Sequence, residues 1–220
     1  MSRKNELLLR NEIAKTMALL YQRGMITPTG GNISARPPGS DYFWITPSGL
    51  FKANLKGGDL VRVNLDGKTT RQGFRPSTET PLHTSIYLTR GDVNAIIHAH
   101  SPVSLGLSLA GVEIRPITPE GALFMGDAVV VPFETPGTRE LAQRTVDALK
   151  THQVAIMQNH GVVAIGRTIL EALNRLEIME FTARIMTITH IWGGTTTLSK
   201  EQLKRLGEKG QVRWTTKPSS

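Results

Sequence analysis

The chain has 220 residues, 39% of them hydrophobic, and a formal net charge of +8. A chain of this length can bury a full hydrophobic core without the help of disulfide bonds. Because the sequence contains no cysteine, thiolate metal ligands and cysteine nucleophiles are excluded, and any bound metal must be held by His, Asp or Glu side chains.

The positive charge is concentrated at one end of the sequence. Residues 199–220 contain six Lys or Arg against two Glu, so this segment carries about half of the charge surplus. No arginine-rich helix and no alternation of basic and aromatic residues accompanies it, so we predict no nucleic-acid partner. We interpret 199–220 as a basic helix and tail of the same domain that residues 1–198 form.

Patterns of export and membrane insertion are missing from the sequence. Residues 1–6 lead into an amphipathic pattern instead of the apolar core of a signal peptide. No stretch approaches the roughly 18 uncharged apolar residues of a membrane span. Together with the lack of cysteine, which fits a reducing compartment, these features predict a cytoplasmic protein with no membrane partner.

Helical and strand patterns alternate along the first half of the chain. Apolar residues at helical spacing predict a first helix that ends at Gly24, a residue type common just past a helix C-terminus. Alternating and β-branched residues then predict three short strands, and Pro81 marks the first turn of a helix after them. The expected strands cover 32–35, 42–45 and 60–65, and the expected helix covers 80–90.

The second half continues this alternation without a linker or a repeat. We expect a strand at 95–100, helices at 101–110 and 138–150, a strand at 154–158 and a long helix at 168–191. The long helix carries an apolar stripe that we expect to contribute to subunit contacts, formed by Ile169, Leu173, Leu176, Met179, Ala183 and Met186. This alternation predicts an α/β or α+β sandwich around one mixed or mainly antiparallel sheet.

The most informative residues are His98 and His100, which flank one alanine at the end of an apolar run. Side chains alternate faces along a strand, so both imidazoles would lie on the same side of the sheet. Glu79 precedes this pair and His160 follows it. Three imidazoles with a neighbouring carboxylate are a typical ligand set for zinc and similar divalent metals. The spacing therefore predicts a metal site.

Three clusters of Gly, Ser, Thr and Asn punctuate the first half, at 29–32, 46–49 and 76–79. Glycine lets backbone N–H groups approach an anion closely, and hydroxyl groups supply further donors. Each cluster alone is also compatible with an ordinary turn. The third cluster runs directly into Glu79, which places a candidate phosphate site beside a candidate acid or base.

Six motifs follow one another along the chain, and in order and spacing they resemble one family. They are Gly-Gly-Asn-Ile-Ser at 30–34, Ile-Thr-Pro-Ser-Gly at 45–49, Pro-Ser-Thr-Glu at 76–79, His-Ala-His at 98–100, Pro-Gly-Thr-Arg-Glu-Leu at 136–141 and Asn-His-Gly at 159–161. The family is the class II aldolase and adducin head family, and the chain is most similar to its L-fuculose-1-phosphate aldolase-like sugar-phosphate aldolases.

The resemblance implies a three-layer α/β/α sandwich with a central mixed, largely antiparallel sheet. It also implies a homotetramer with one Zn²⁺, or Mn²⁺ or Co²⁺, per subunit near a subunit interface. His98, His100 and His160 would be the metal ligands, and Glu79 would be the acid/base and a fourth ligand until substrate displaces it. The residues that would bind the substrate phosphate are Gly31, Asn32, Ser48, Gly49, Ser77 and Thr78.

The activity that the resemblance implies is cleavage of a ketose 1-phosphate to dihydroxyacetone phosphate and an aldehyde by retro-aldol chemistry. Fuculose-phosphate aldolases use tyrosines to handle the proton on the aldehyde side, one of them from a neighbouring subunit and one near the C-terminus. This chain has only Tyr21, Tyr42 and Tyr87, all in its first half. The group that acts on the aldehyde side therefore stays open.

The same fold is compatible with three other functions. A methylthioribulose-1-phosphate dehydratase keeps three His and a Glu, so only product analysis separates it from an aldolase. A sugar-phosphate epimerase would have Asp at the position of Glu79, and a non-catalytic adducin-like structural module would lack the His ligands. His83 would be a fifth ligand, so we interpret it as a packed or supporting histidine.

Overall fold

The structure is a computed structural model that describes residues 2–69, 73–194 and 196–209. The strands in these ranges are β1 (Asn32–Ala35), β2 (Tyr42–Ile45), β3 (Val61–Asn64), β4 (Ala95–Ala99), β5 (Ala128–Val131), β6 (Val154–Met157) and β7 (Gly161–Gly166). The α-helices are α1 (Arg3–Gln22), α2 (Thr80–Thr89), α3 (Pro102–Leu109), α4 (Arg139–Leu149), α5 (Ile169–Ile191) and α6 (Lys200–Lys209).

The seven described strands form one sheet in the order β3-β2-β1-β4-β7-β6-β5. Neighbouring strands are antiparallel, except for the parallel pair of β5 and β6. The mixed, largely antiparallel sheet predicted from the sequence is thus confirmed. Strand β4 lies in the middle of this order, so both of its edges are hydrogen-bonded and its residues are buried.

Two hydrophobic clusters cover the two faces of the sheet, which confirms the three-layer sandwich. One cluster contains Ile97 and residues of α1 and α5. The other contains Ile96 and residues of α2 and α4. Because side chains alternate along a strand, His98 shares the face of Ile96. The cross-strand neighbour of His98 on β1 is Asn32, so Asn32 lies on this same face, toward α2.

The long helix α5 begins at a capped N-terminus, where the Thr168 hydroxyl accepts a hydrogen bond from the backbone N–H of Glu171 at 3.1 Å. Its apolar stripe faces the interior of the subunit: Ile169, Leu173, Leu176, Met179, Ala183 and Met186 are each at most 9% exposed. The expectation that this stripe contributes to subunit contacts is wrong, because the sheet already covers it.

Strands β5 and β7 and a single π-helical turn at Gly121–Met125 were not predicted from the sequence. The basic segment contains helix α6, whereas the predicted tail over 210–220 lies outside the described residues. That residues 1–198 form one domain stays a prediction. Among the described residues, no helix combines the length and the apolar character that crossing a membrane requires.

Candidate metal centre

Three histidines converge at one end of the central strands. His98 lies in β4, His100 follows that strand directly, and His160 lies in the turn between β6 and β7. Asn159 adopts a left-handed conformation in this turn, with φ of 59°, and the turn directs His160 back toward β4. One nitrogen of each ring lies within 4.8 Å of the others. The predicted ligands His98, His100 and His160 are therefore brought together.

Glu79 reaches the same point from the N-terminus of α2. Its Oε2 lies 3.3 Å from Nε2 of His98, and its Oε1 lies 3.2 Å from Nε2 of His160. Burial alone would raise the pKa of the Glu79 carboxyl. The neighbouring His98 and His160 and the hydrogen bond from Asn32 hold that pKa below its usual value, so Glu79 is ionised at neutral pH.

The hydrogen bond to Val162 determines which ring nitrogen of His98 carries the proton. Nδ1 of His98 lies 3.0 Å from the carbonyl oxygen of Val162, and a carbonyl oxygen can only accept, so Nδ1 carries the proton. Burial lowers the pKa of His98 to about 4, and it also lowers the pKa of His100. The imidazole of His98 is therefore neutral, and its Nε2 presents a lone pair to the centre of the cluster.

This arrangement fits a divalent cation. The Nε2 of His98 lies 3.2 Å from Nε2 of His100 and faces the ionised Glu79 carboxylate. Oε1 of Glu79 is buried with no hydrogen-bond partner among the described residues, so it has a free lone pair for a cation. Three neutral imidazoles and a carboxylate are a donor set that divalent metals bind in proteins.

Two glycines make room for the ligand rings, and the sequence analysis assigned neither of them to the site. A Cβ on Gly161 would lie 2.8 Å from Cε1 of His98 and 3.1 Å from Cδ2 of His100. A Cβ on Gly30 would lie 2.8 Å from Cε1 of His100. Both glycines belong to recognised motifs, but their steric role depends on which strands are neighbours in the sheet.

The predicted phosphate clusters at 46–49 and 76–79 lie side by side. Pro47 and Pro76 form an isolated β-bridge, and Ser77 N–H donates to the Thr46 carbonyl at 3.2 Å. The Ser77 hydroxyl accepts from Glu79 N–H at 3.2 Å, which ties this loop to the candidate acid or base. Gly49 has φ of 75°, a conformation that favours glycine.

The side chain of Asn32 is joined to Glu79 rather than turned toward the loops. Its Nδ2 donates to Oε2 of Glu79 at 2.6 Å. Gly31, with φ of 69°, lies beside the backbone of His98, and the Thr78 carbonyl lies against Gly137. Of the predicted phosphate residues, Asn32 and Ser77 thus hydrogen-bond directly to Glu79.

Lys52 was missed by the sequence analysis. Its side chain is only 2% exposed, and its ammonium group donates to the carbonyl oxygen of Pro47. Burial lowers the pKa of Lys52 to about 8. The sequence around Lys52 does not indicate that its side chain is buried. Only the structure shows that this side chain lies behind the 46–49 loop.

None of the three tyrosines is a partner of the histidine cluster. The ring of Tyr21 packs edge-on against Phe51, and the hydroxyl of Tyr42 is hydrogen-bonded to Glu6. Tyr87 is buried in α2, with its hydroxyl on Ser34. No tyrosine of this subunit therefore occupies the place of an acid or base on the aldehyde side.

Several known proteins are similar to this chain. It is 35% identical over 176 residues to an L-fuculose phosphate aldolase of Methanocaldococcus jannaschii, covering 80% of this chain and 94% of that protein. The chain is 34% identical over 190 residues to a 3-oxo-tetronate 4-phosphate decarboxylase of Escherichia coli, and the match covers 84% of this chain and 89% of that protein. A solved L-fuculose 1-phosphate aldolase superposes with a TM-score of 0.86 at 28% identity, covering 95% of this chain and 97% of that one.

Residues 11–187 match the class II aldolase and adducin N-terminal domain family, and this range contains every residue of the candidate site. The histidine cluster that could hold a metal is intact, as the chemistry of a metal-dependent aldolase requires. The chain therefore belongs to the class II aldolase and adducin N-terminal domain family, as one of its aldehyde-lyases.

Proposed function

We propose that the protein cleaves a ketose 1-phosphate, of the L-fuculose-1-phosphate kind, to dihydroxyacetone phosphate and an aldehyde. The observation that carries this proposal is the convergence of three imidazoles with the ionised Glu79 carboxylate. The similarity to an L-fuculose phosphate aldolase supports the choice of substrate class.

In this reaction the bond between C3 and C4 of the ketose breaks. The C4 hydroxyl loses its proton to become the aldehyde, and C3 gains a proton to complete dihydroxyacetone phosphate. His98, His100 and His160 would hold a divalent metal, which would supply Lewis-acid stabilisation of the negative charge that develops on the substrate oxygens. Glu79, an ionised carboxylate beside this centre, takes up a proton and delivers it to C3, while the C4 hydroxyl proton leaves to solvent, so the overall reaction conserves protons.

The phosphate is proposed to lie among the neighbouring loops, bound by Gly31, Asn32, Ser48, Gly49, Ser77 and Thr78. The adjacency of the 46–49 and 76–79 clusters supports this assignment. An amide nitrogen carries two hydrogens, so Asn32 can donate one to Glu79 and the other to the phosphate. Contacts with the phosphate, away from the bond that breaks, orient the substrate for cleavage.

A second candidate is decarboxylation of a 3-oxo acid 4-phosphate, favoured by the 34% identity to the decarboxylase. Loss of CO₂ from such an acid leaves the same enediolate that retro-aldol cleavage leaves, so the same metal site and Glu79 would serve. A carboxylate has no hydroxyl proton to lose. This reaction therefore needs no tyrosine, in keeping with the positions of Tyr21, Tyr42 and Tyr87.

Three further properties are proposed with this function. The metal is zinc, with Mn²⁺ or Co²⁺ as substitutes, because three imidazoles and a carboxylate suit these ions. The protein is a cytoplasmic homotetramer with the site near a subunit interface. Dehydration and epimerisation of a sugar phosphate remain alternatives on the same fold, and product analysis separates them.

The test is a substrate panel assayed with protein that has been stripped of metal and reloaded with Zn²⁺, Mn²⁺ or Co²⁺. The panel contains ketose 1-phosphates and 3-oxo acid 4-phosphates, and dihydroxyacetone phosphate, aldehyde and CO₂ are measured separately. We expect metal-dependent release of dihydroxyacetone phosphate and an aldehyde. Release of CO₂ together with dihydroxyacetone phosphate, without an aldehyde, supports the second candidate, and full activity of metal-free protein contradicts both.

A further inference from the structure

A chain of buried hydrogen bonds runs from Glu79 into the core of the protein. Behind Glu79 and Asn32, the Oδ1 of Asn32 lies 2.5 Å from Nε2 of His83. The other ring nitrogen of His83, Nδ1, lies 2.6 Å from the Ser34 hydroxyl, which lies 2.7 Å from the hydroxyl of Tyr87. The side chains of His83, Ser34 and Tyr87 are at most 1% exposed.

The sheet register and one helix face bring these residues together. Asn32 and Ser34 are two residues apart on β1, so their side chains lie on the same face of the sheet. His83 and Tyr87 are four residues apart on α2, so they lie on one face of that helix. This face packs on the sheet in the hydrophobic cluster that contains Tyr87 and Ile96.

The donor and acceptor of each hydrogen bond in this series, from Glu79 to Tyr87, can be assigned from the chemistry of the groups involved. The ionised carboxylate of Glu79 can only accept, so the Asn32 amide presents its NH₂ group to Glu79 and its oxygen to His83. His83 must then donate from Nε2. The ring of His83 is fully buried and both of its nitrogens face uncharged groups, Asn32 and Ser34, so the ring is neutral and Nδ1 accepts from Ser34, which in turn accepts from Tyr87.

We propose that His83, backed by Ser34 and Tyr87, is a positioning residue for Glu79. The Nε2–H of His83 holds the Asn32 amide in the one orientation that places an N–H on Glu79. The reversed amide would turn its oxygen onto the carboxylate and its NH₂ group onto a donor. Because this orientation fixes the carboxylate that moves the proton, the inference rests on the proposed role of Glu79.

If His83 had only a structural role, it would tolerate different substitutions from those that a positioning residue tolerates. A core position that needs only volume and polarity accepts any buried amide of similar size. A positioning residue needs a donor at the place of Nε2. The side chain of Gln carries its NH₂ group near that place, whereas the shorter side chain of Asn carries it near the place of Nδ1. His83→Gln and His83→Asn are therefore a matched pair that separates the two roles.

The first experiment measures kcat, KM, bound metal and the thermal midpoint of His83→Gln, His83→Asn and His83→Leu. We expect Asn and Leu to lower kcat about tenfold to a hundredfold, with bound metal retained and KM changed less than about threefold, as for other partners that orient a functional group. We expect Gln to keep kcat within about fivefold of the unchanged protein.

The matched control is Thr84→Val, next to His83 on α2. Thr84 is also buried, and its hydroxyl has no hydrogen-bond partner among the described residues. This variant should leave kcat unchanged. Equal kcat in the folded, metal-loaded Gln and Asn variants, or normal kcat in His83→Leu, would overturn the positioning role.

The second experiment needs neither activity nor a stable variant. In protein labelled with ¹⁵N at histidine, nuclear magnetic resonance should find the proton of His83 on Nε2 and none on Nδ1, with and without Zn²⁺. A proton on Nδ1 contradicts the hydrogen-bond chain whatever the reaction is. Failure of every substrate in the panel would instead contradict the proposed function and leave this spectroscopic result standing.

Discussion

Glu79 combines two properties that rarely occur together, since it is 5% exposed and ionised. Burial normally favours the neutral form of a carboxyl group. Here the hydrogen bond that the Asn32 amide donates to Glu79 compensates in part for the lost water. A carboxylate held in this way keeps a fixed place beside the metal ligands, which suits a group that must move a proton to one substrate carbon.

Replacement of Glu79 by Gln tests this role. The amide keeps the volume of the side chain but cannot shuttle a proton, so we expect turnover to fall by roughly 10²–10⁴-fold, the usual contribution of general acid–base catalysis. Bound metal should stay near that of the unchanged protein, and KM should change little. Near-normal turnover of the variant, measured with metal content in the same preparation, would contradict the role of Glu79.

Lys52 gives a prediction about stability and pH. Its pKa is about 8 in the folded protein and 10.5 in a model peptide, so between these pH values the unfolded chain binds a proton that the folded chain lacks. The free energy of unfolding contributed by Lys52 therefore rises with pH through this window. The rise is at most about 3.4 kcal/mol, since one pKa unit corresponds to about 1.4 kcal/mol.

The measurement is urea unfolding of the unchanged protein and of Lys52→Met at several pH values between 8 and 10.5. Met has a similar length and does not titrate, so the difference in unfolding free energy between the two proteins should grow in favour of the unchanged protein as the pH rises. Lys56→Met, at a nearby exposed position, is the control and should show no such trend. A pH-independent difference for Lys52→Met would contradict the buried, shifted ammonium.

At the scale of elements, the turn between β6 and β7 determines where the third ligand lies. Gly161 starts β7 next to His160, and its Cα faces the rings of His98 and His100. We expect Gly161→Ala to lower metal affinity and the thermal midpoint, because the new methyl group would clash with the Ala99 carbonyl oxygen and with the rings of His98 and His100. The checks are a metal titration and a thermal melt.

Gly106→Ala is the matched control for that substitution. Gly106 lies within α3, and a Cβ there would meet no atom within 4 Å. Alanine at an open helical position is expected to stabilise by roughly 0.5–1 kcal/mol and to leave metal binding unchanged. Unaltered metal affinity in Gly161→Ala would show that the ligand rings tolerate the added group.

Most elements were predictable because their periodicity is local. The stripe of α5 and the His-Ala-His end of β4 are visible in short stretches of sequence, and both are found as predicted. Strand β7 was missed because all six of its residues are buried, so it shows no alternation of polar and apolar residues. The partnership of Asn32 with His83 depends on strand register and helix placement, which no local pattern encodes.

At the scale of the whole molecule, assembly is the main untested prediction. If the site lies near a subunit interface, as proposed, sedimentation at micromolar concentration should give the mass of a homotetramer. Specific activity should fall on dilution below the dissociation range, since each site would lose its neighbour. A monomer with undiminished specific activity would refute a shared site, and it would leave the metal ligands, which come from one subunit, unaffected.

The register of the central strands determines whether the candidate metal ligands come together. Asn32, His98 and Val163 are direct neighbours across β1, β4 and β7. A shift of one residue in either pairing would turn a ligand-bearing strand over, while leaving a compact chain with similar secondary structure. Such a misfolded product would look normal in gel filtration and circular dichroism but would lack the convergent ligands that a divalent metal needs. The amount of metal bound per chain therefore reports directly whether the strands of a given preparation have paired in the correct register.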